Sequence, residues 1–136
     1  MKKYIIDTNT LISYVTDRNP EQQKKIAPLF QAVADSKACI ICHQNVLIEF
    51  IYVMDKIYRL SKNEISKIIN EFIEMRGIEI IHEIDFNTVL SYWPDQIPDL
   101  GDAVIASLGK IKRVPIVTFD RKFSVKLKIL GFNLWV

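Results

Sequence analysis

Four acidic side chains stand where an ordinary folded chain has little use for them: Asp7, Glu49, Asp102 and Asp120. Asp7 directly follows Tyr4-Ile5-Ile6, and Asp120 follows Ile116-Val117-Thr118-Phe119. Both preceding runs are short, apolar and rich in β-branched residues, the pattern of a buried strand. Taken singly, an Asp after a strand is often no more than the N-cap of the next helix. Glu49 lies three residues after Val46 and four before Val53, which places it along the apolar stripe expected for its helix. A carboxylate on such a face is costly unless it is paired, protonated or bound to metal. The competing reading is an ion pair with a Lys or Arg. Asp102 has Ile105, Ala106 and Gly109 at i+3, i+4 and i+7, again the packing face. Asp99 lies one turn earlier and either flanks this acid or caps its helix.

If these acids meet, their chemistry follows. Two carboxylates about 5 Å apart repel by roughly 3 kcal/mol at an effective dielectric near 20. Three or four of them therefore need a counter-charge to stay ionised. An all-oxygen ligand set selects a hard cation, Mg²⁺ or Mn²⁺, that keeps several waters. Such an ion activates water and stabilises charge on a phosphoryl oxygen, which is phosphodiester hydrolysis chemistry.

The elements that must position these residues are readable from pattern. Strands are predicted at Lys3–Ile6, Ala38–Ile41, Ile78–Ile81, Val114–Phe119 and Phe132–Val136. Between them lie helical patterns. One begins at Leu11–Val15 after the capping run Asp7-Thr8-Asn9-Thr10, and one runs from Pro20 through Ala34. Another spans Val46–Leu60, with Val46, Phe50, Val53, Ile57 and Leu60 on one stripe. Ser61 and Glu64 have capping-box spacing and open the next, which Gly77 follows. Asp85 caps a helix to Trp93, and further helices cover Asp102–Lys112 and Lys122–Leu130. Strands alternating with helices argue for a parallel sheet covered on both faces, a three-layer α/β/α sandwich. In such a sheet ligands bind at the carboxyl ends of the strands, where Asp7 and Asp120 fall.

Composition narrows the class. A length of 136 residues suits one domain, 1–136, and no repeat or Gly/Ser linker divides it. The hydrophobic fraction of 49% and charged fraction of 25% exclude a disordered or fibrous chain. Eighteen Lys and Arg against sixteen Asp and Glu leave a net charge of +2, which neither demands nor excludes nucleic acid. Met1-Lys2-Lys3 resembles the start of a signal peptide, but Asp7 ends the apolar run after three residues. No stretch approaches the roughly 18 apolar residues of a membrane span. The expectation is a cytoplasmic protein without a membrane partner. Cys39 and Cys42 have the spacing of a zinc half-site, but alternation in a strand points them to opposite faces, so structural thiols are expected. His43 and His82 lack sequence partners and are expected at strand ends. Lys110, Lys112, Arg113, Arg121, Lys122, Lys126 and Lys128 make the last third basic; a solvated face and a phosphate-tracking rim are the two readings. Leu29, Phe30, Tyr52 and Tyr58 are candidates for an exposed apolar patch.

In the order Asp7-Thr8-Asn9, Val46-Leu47-Ile48-Glu49-Phe50, Asp102-Ala103-Val104-Ile105-Ala106 and Val117-Thr118-Phe119-Asp120, the sequence resembles the PIN-domain nucleases, most closely the VapC-type toxins of toxin–antitoxin pairs. No single piece is specific; the four in this order are. The resemblance implies a metal-dependent endoribonuclease that cuts single-stranded or looped RNA to leave a 5′-phosphate. It implies Asp7, Glu49, Asp102 and Asp120 as the acidic metal site, with Thr118 orienting an acid and Asn9 in support. It also implies a homodimer and an antitoxin partner. Gly101 is a small departure, since Ala is more usual there. Two other enzymatic or signalling schemes fit less well. A phosphatase beginning Asp-x-Asp-x-Thr would need a second Asp where Asn9 stands, and a receiver-like module would need adjacent acids after the first strand. A PIN-like domain that binds RNA or a partner without cutting is the remaining alternative, and the complete acid set argues against it.

Overall fold

The computed structural model describes residues 1–135. Four strands, β1 (Lys2–Ile6), β2 (Ala38–His43), β3 (Ile78–Ile81) and β4 (Ile116–Val117), form an all-parallel sheet in the order β3-β2-β1-β4. Ile5 is level with Ile41 on one side and with Ile116 on the other. Among the described residues seven helices flank it: α1 (Thr8–Val15), α2 (Pro20–Ala34), α3 (Gln44–Lys56), α4 (Lys62–Glu74), α5 (Phe86–Tyr92), α6 (Leu100–Lys112) and α7 (Arg121–Ile129). Parallel strands require crossovers, and every crossover here is helical. Successive β1 and β2 residues Ile5, Ile6, Ile40, Ile41 and Cys42 are all buried, so apolar cover lies on both faces of the sheet. This is the α/β/α sandwich expected from the pattern.

Each helix has its first turn closed by a polar side chain. Asp7, Asn19, His43, Ser61, Asp85, Asp99 and Asp120 each accept a backbone N–H from the first turn that they precede. His43 does so through Nδ1, 3.0 Å from the Asn45 nitrogen, while its Nε2 lies 2.9 Å from the Glu83 carbonyl oxygen. It is thus a strand-end residue used structurally; His82 is exposed beside Gln44. Cys42 is buried, which pushes its thiol up to about 12, and Cys39 is only half-buried.

Four expectations need correction. The α3 helix stops at Lys56, leaving Ile57 exposed and Leu60 outside the helix. Its buried stripe is Val46, Leu47, Phe50 and Met54, rotated so that Glu49 falls on the exposed side of the stripe's edge. The fourth strand holds two residues rather than six. Pro115 has no N–H, and the Thr118 hydroxyl accepts the Asp120 N–H at 3.1 Å, turning the chain toward α7. The C-terminal strand reduces to one parallel bridge, Ile116 with Leu134, and its last residue, Val136, lies outside the described residues. Leu29 and Phe30 are buried, so of the proposed apolar patch only Tyr52 and Tyr58 are exposed. Among the described residues no helix is long and apolar enough to cross a membrane.

Candidate metal centre

Parallel topology sends the carboxyl ends of β1 and β4 to one pole, where Asp7 and Asp120 follow those strands, Asp99 and Asp102 open α6, and Glu49 lies in the second turn of α3. Asp7 is the fixed member. It is 5% exposed, and both carboxylate oxygens are held. Oδ1 accepts the backbone N–H of Thr10 at 2.9 Å and the Thr10 hydroxyl at 2.6 Å; Oδ2 accepts the Thr118 hydroxyl. Burial raises the pKa of this carboxyl, the Thr10 and Thr118 bonds oppose that rise, and the charge of Asp120 adds to it.

Asp102 lies in the first turn of α6, half-buried, above buried Ile105, Ala106 and Gly109. Its carboxyl is raised to about 7, first by burial and then by Asp99, Asp120, Asp7 and Glu49 in that order. Glu49 is exposed at the rim of α3, with Oε2 3.3 Å from the Thr8 hydroxyl. Partial enclosure raises its pKa, Thr8 opposes, and Asp99 and Asp7 add to it. Asp120 caps α7 through Oδ1, 3.0 Å from the Phe123 nitrogen. Asp99 caps α6, accepting the Asp102 N–H at 2.9 Å, and its charge is the first of the four that raise the Asp102 carboxyl. Capping a helix therefore does not take Asp7, Asp99 or Asp120 out of the acid cluster.

The ion-pair alternative for Glu49 finds no support. Among the described residues the ion pairs are Lys3 with Glu79 and Lys56 with Asp55, so no Lys or Arg neutralises any of the five acids. The donor set fits a hard divalent cation: it is all carboxylate, mutually repulsive and without a counter-charge. Among the described residues no three acids already share one coordination point. An ion held here would draw rotatable Glu49, Asp102 and Asp120 toward the fixed Asp7.

One residue that matters locally was not singled out from the sequence. Thr10, fully buried, donates to Asp7 and lies 3.0 Å from the Val117 carbonyl oxygen, tying the first turn of α1 to the end of β4. The only sequence signal was a hydroxyl three residues after Asp7. Asn9, by contrast, is exposed and makes no side-chain hydrogen bond among the described residues. Thr10→Val should keep shape while leaving buried acceptors short of a donor. The expected loss is about 1–3 kcal/mol in urea unfolding, and an unchanged midpoint would show the bridge is idle.

Gly101, the departure noted in the sequence, also borders the acid cluster. A Cβ there would sit 2.6 Å from Glu49 Oε1 and 3.2 Å from Asp99 Oδ1. The obstacle is the far end of an exposed, rotatable side chain, so Glu49 can swing aside. Gly101→Ala should therefore fold with equal or slightly greater stability, by up to about 1 kcal/mol, and keep its activity. A loss of more than that on thermal melting would mean Glu49 is locked.

Comparison with known proteins bears on the family and the fold. The PIN domain family profile matches residues 4–126. No curated protein matches the chain. Among solved structures, the sarcin–ricin loop cleaving toxin VapC20 of Mycobacterium tuberculosis superposes with a TM-score of 0.67 at 14% identity, covering 95% of each chain. VapBC2 of Rickettsia felis, bound to a DNA fragment from their promoter, gives 0.63 at 19% identity over 97% of this chain and 96% of that one. A toxin–antitoxin complex from Klebsiella pneumoniae gives 0.56 at 15% identity over 88% of each. At these identities the structures speak for the fold, and the profile, spanning almost the whole chain, speaks for the family: the protein belongs to the PIN domain family.

Proposed function

We propose that the protein is an endoribonuclease that hydrolyses RNA phosphodiester bonds with Mg²⁺ or Mn²⁺, as the cytoplasmic toxin of a toxin–antitoxin pair. The observation that carries this is the un-neutralised acid cluster at the carboxyl ends of β1 and β4, where burial first, and then the charges of four other acids, raise the Asp102 carboxyl to about 7. A bound divalent ion would supply Lewis acidity and an activated water. Asp7, Glu49, Asp102 and Asp120 would hold it. Thr10 and Thr118 fix the Asp7 carboxylate, so that one ligand is preorganised while the others adjust. Asp102 would bind the ion as its carboxylate, and Glu49, exposed on α3, would be the acid free to meet a substrate. A phosphatase scheme gains nothing, since Asn9 stands exposed where its second Asp would be.

The antitoxin and homodimer parts of the proposal draw on the outward face of α3. Ile48, Ile51 and Tyr52 there are 61%, 42% and 61% exposed, an apolar surface of the kind that marks a partner. A structural relative is itself a toxin–antitoxin complex. The test is a cleavage assay on single-stranded RNA with Mn²⁺. Degradation should stop with EDTA, in Asp7→Asn, and on adding the product of a neighbouring antitoxin-like gene. RNA left intact by wild type with Mn²⁺, or cut equally by Asp7→Asn, would overturn the enzymatic reading; cleavage indifferent to the gene product would remove only the toxin role.

A further inference from the structure

The basic last third of the chain is one group in sequence and two in space. Arg121 and Lys122 open α7 beside Asp120, on the acid pole. Lys110, Lys112 and Arg113 close α6, roughly 12–16 Å of helix away from Asp102. The start of the chain arrives at that same distant pole. Ile5 is level with Ile116, which sets Lys2 and Lys3 level with Arg113 and Val114. Two clefts open beside Arg113. One, of about 490 Å³, is walled by Lys2, Lys3 and Tyr4; the other, of about 350 Å³, by Lys110, Tyr92 and Phe132. Arg113 and Val114 line both.

These cations are largely uncommitted. Lys3 lies 3.9 Å from Glu79 with both side chains about half exposed, and among the described residues Lys2, Lys110, Lys112 and Arg113 form no ion pair. Lys110 lies 5.7 Å from the centroid of the Tyr92 ring. Favourable interaction with the carboxyl end of α6 accounts for Lys110 and Lys112. It does not account for Lys2 and Lys3 at the start of a strand, nor for the residue type at 113. Arg113 ends α6 in the left-handed region, φ 55° and ψ 48°, where Gly or Asn is the cheaper residue. Keeping an arginine there costs the fold something and supplies the charge that both clefts share.

We propose that this pole is an anchoring site for single-stranded RNA, distinct from the acid cluster. Phosphates would lie on Arg113, Lys110, Lys2 and Lys3, with bases against Tyr92 and Phe132. Cations interleaved with aromatic faces are what a sequence-tolerant single-strand groove requires. The inference rests on the ribonuclease reading for its biological sense: a flank of the substrate is held at one pole while the bond to be cut lies at the other.

The test measures binding without metal, so it does not depend on cleavage. Fluorescence anisotropy in EDTA, with single-stranded RNA of roughly 20 nucleotides, compares wild type with Lys110→Gln/Arg113→Gln. The double variant should bind about 5- to 10-fold more weakly, with the salt slope reduced by about 1.4, the value for two lost phosphate contacts. Its KM for the same RNA in Mn²⁺ should rise by a similar factor at constant kcat, whereas Lys24→Gln/Lys25→Gln on exposed α2 should change neither. Arg113→Gly relieves the left-handed residue, so it should melt no lower than wild type and still bind less RNA, a combination a purely structural arginine would not give. Equal RNA binding by wild type and both Arg113 variants overturns the inference, and if wild type still cleaves RNA the ribonuclease reading survives. Binding to a polyglutamate peptide but not to RNA also overturns it, assigning the pole to an acidic protein. A wild type that neither binds nor cuts RNA overturns both, while weakened binding in the variants with no cleavage by wild type supports the anchor and removes the ribonuclease.

Discussion

Asp102→Asn should lower Mn²⁺-dependent RNA cleavage by about 10³-fold or more, since residues that merely support a metal ligand already change affinity or activity by about 10–100-fold. The substitution keeps the shape of a side chain half-buried at the first turn of α6 and removes one charge from the cluster. It should therefore not harm the fold. Asp102 is repelled by Asp99, Asp120, Asp7 and Glu49, so the metal-free variant should be at least as stable as wild type above neutral pH. That pairing, activity lost and stability kept, is the signature of a group retained for function. Asp99→Asn provides the contrast. Asn caps a helix about as well as Asp, so the N–H of Asp102 keeps its acceptor, and only a second-rank electrostatic effect on cleavage is expected. Near wild-type kcat in Asp102→Asn would remove it from the centre, whatever the other acids do.

The second large effect is on the pH dependence of the metal-free protein. Asp102 rises from 3.8 to about 7, and Asp7 and Glu49 are raised as well. A carboxyl whose pKa is higher in the folded state favours folding when protonated. Its contribution is fully present below the unfolded value and is lost as pH climbs through the folded one. Metal-free protein should thus lose stability between about pH 4 and pH 8, opposite to the trend of an ordinary ion-paired carboxylate. For Asp102 the rise corresponds to about 4 kcal/mol, reduced to about 1–2 kcal/mol because the group is half exposed and screened. For a domain of this size that is a melting shift of roughly 5 °C. Mg²⁺ or Mn²⁺ should reverse the loss, by about 2.7 kcal/mol at a hundredfold excess over Kd. Asp102→Asn should flatten both the pH slope and the metal response. A metal-free melting temperature that is level or rising from pH 6 to pH 8 would contradict the repulsion on which the metal centre rests.

Much of this architecture was legible along the chain because it depends on near neighbours. Pro20 through Ala34 and Ile78 through Ile81 form elements with the boundaries their patterns suggest, since a proline at a first turn or a short β-branched run acts over a few residues. The parallel sheet follows from strands separated by helices, and Asp7 and Asp120 at strand ends follow from the sheet. Asp102 was readable from its own helix, whose packing face it opens.

What the sequence could not decide was anything set by which elements meet. The orientation of α3 was misread because Val53 and Ile57 continue an apolar stripe, yet the sheet and α4 meet a face centred on Leu47, Phe50 and Met54, and this turns Glu49 outward. Thr10 offers in sequence only a hydroxyl three residues after Asp7; its role appears only once β4 brings the Val117 carbonyl, 107 residues distant in sequence, to that hydroxyl. The basic segment shows the limit most plainly. Lys110 and Arg113 are close to Asp102 in number, but a helix advances about 1.5 Å per residue, so eight to eleven residues carry them to the far pole. There the sheet register, not the sequence, sets them beside Lys2 and Lys3, because parallel strands align their amino ends however far apart those ends lie in the chain.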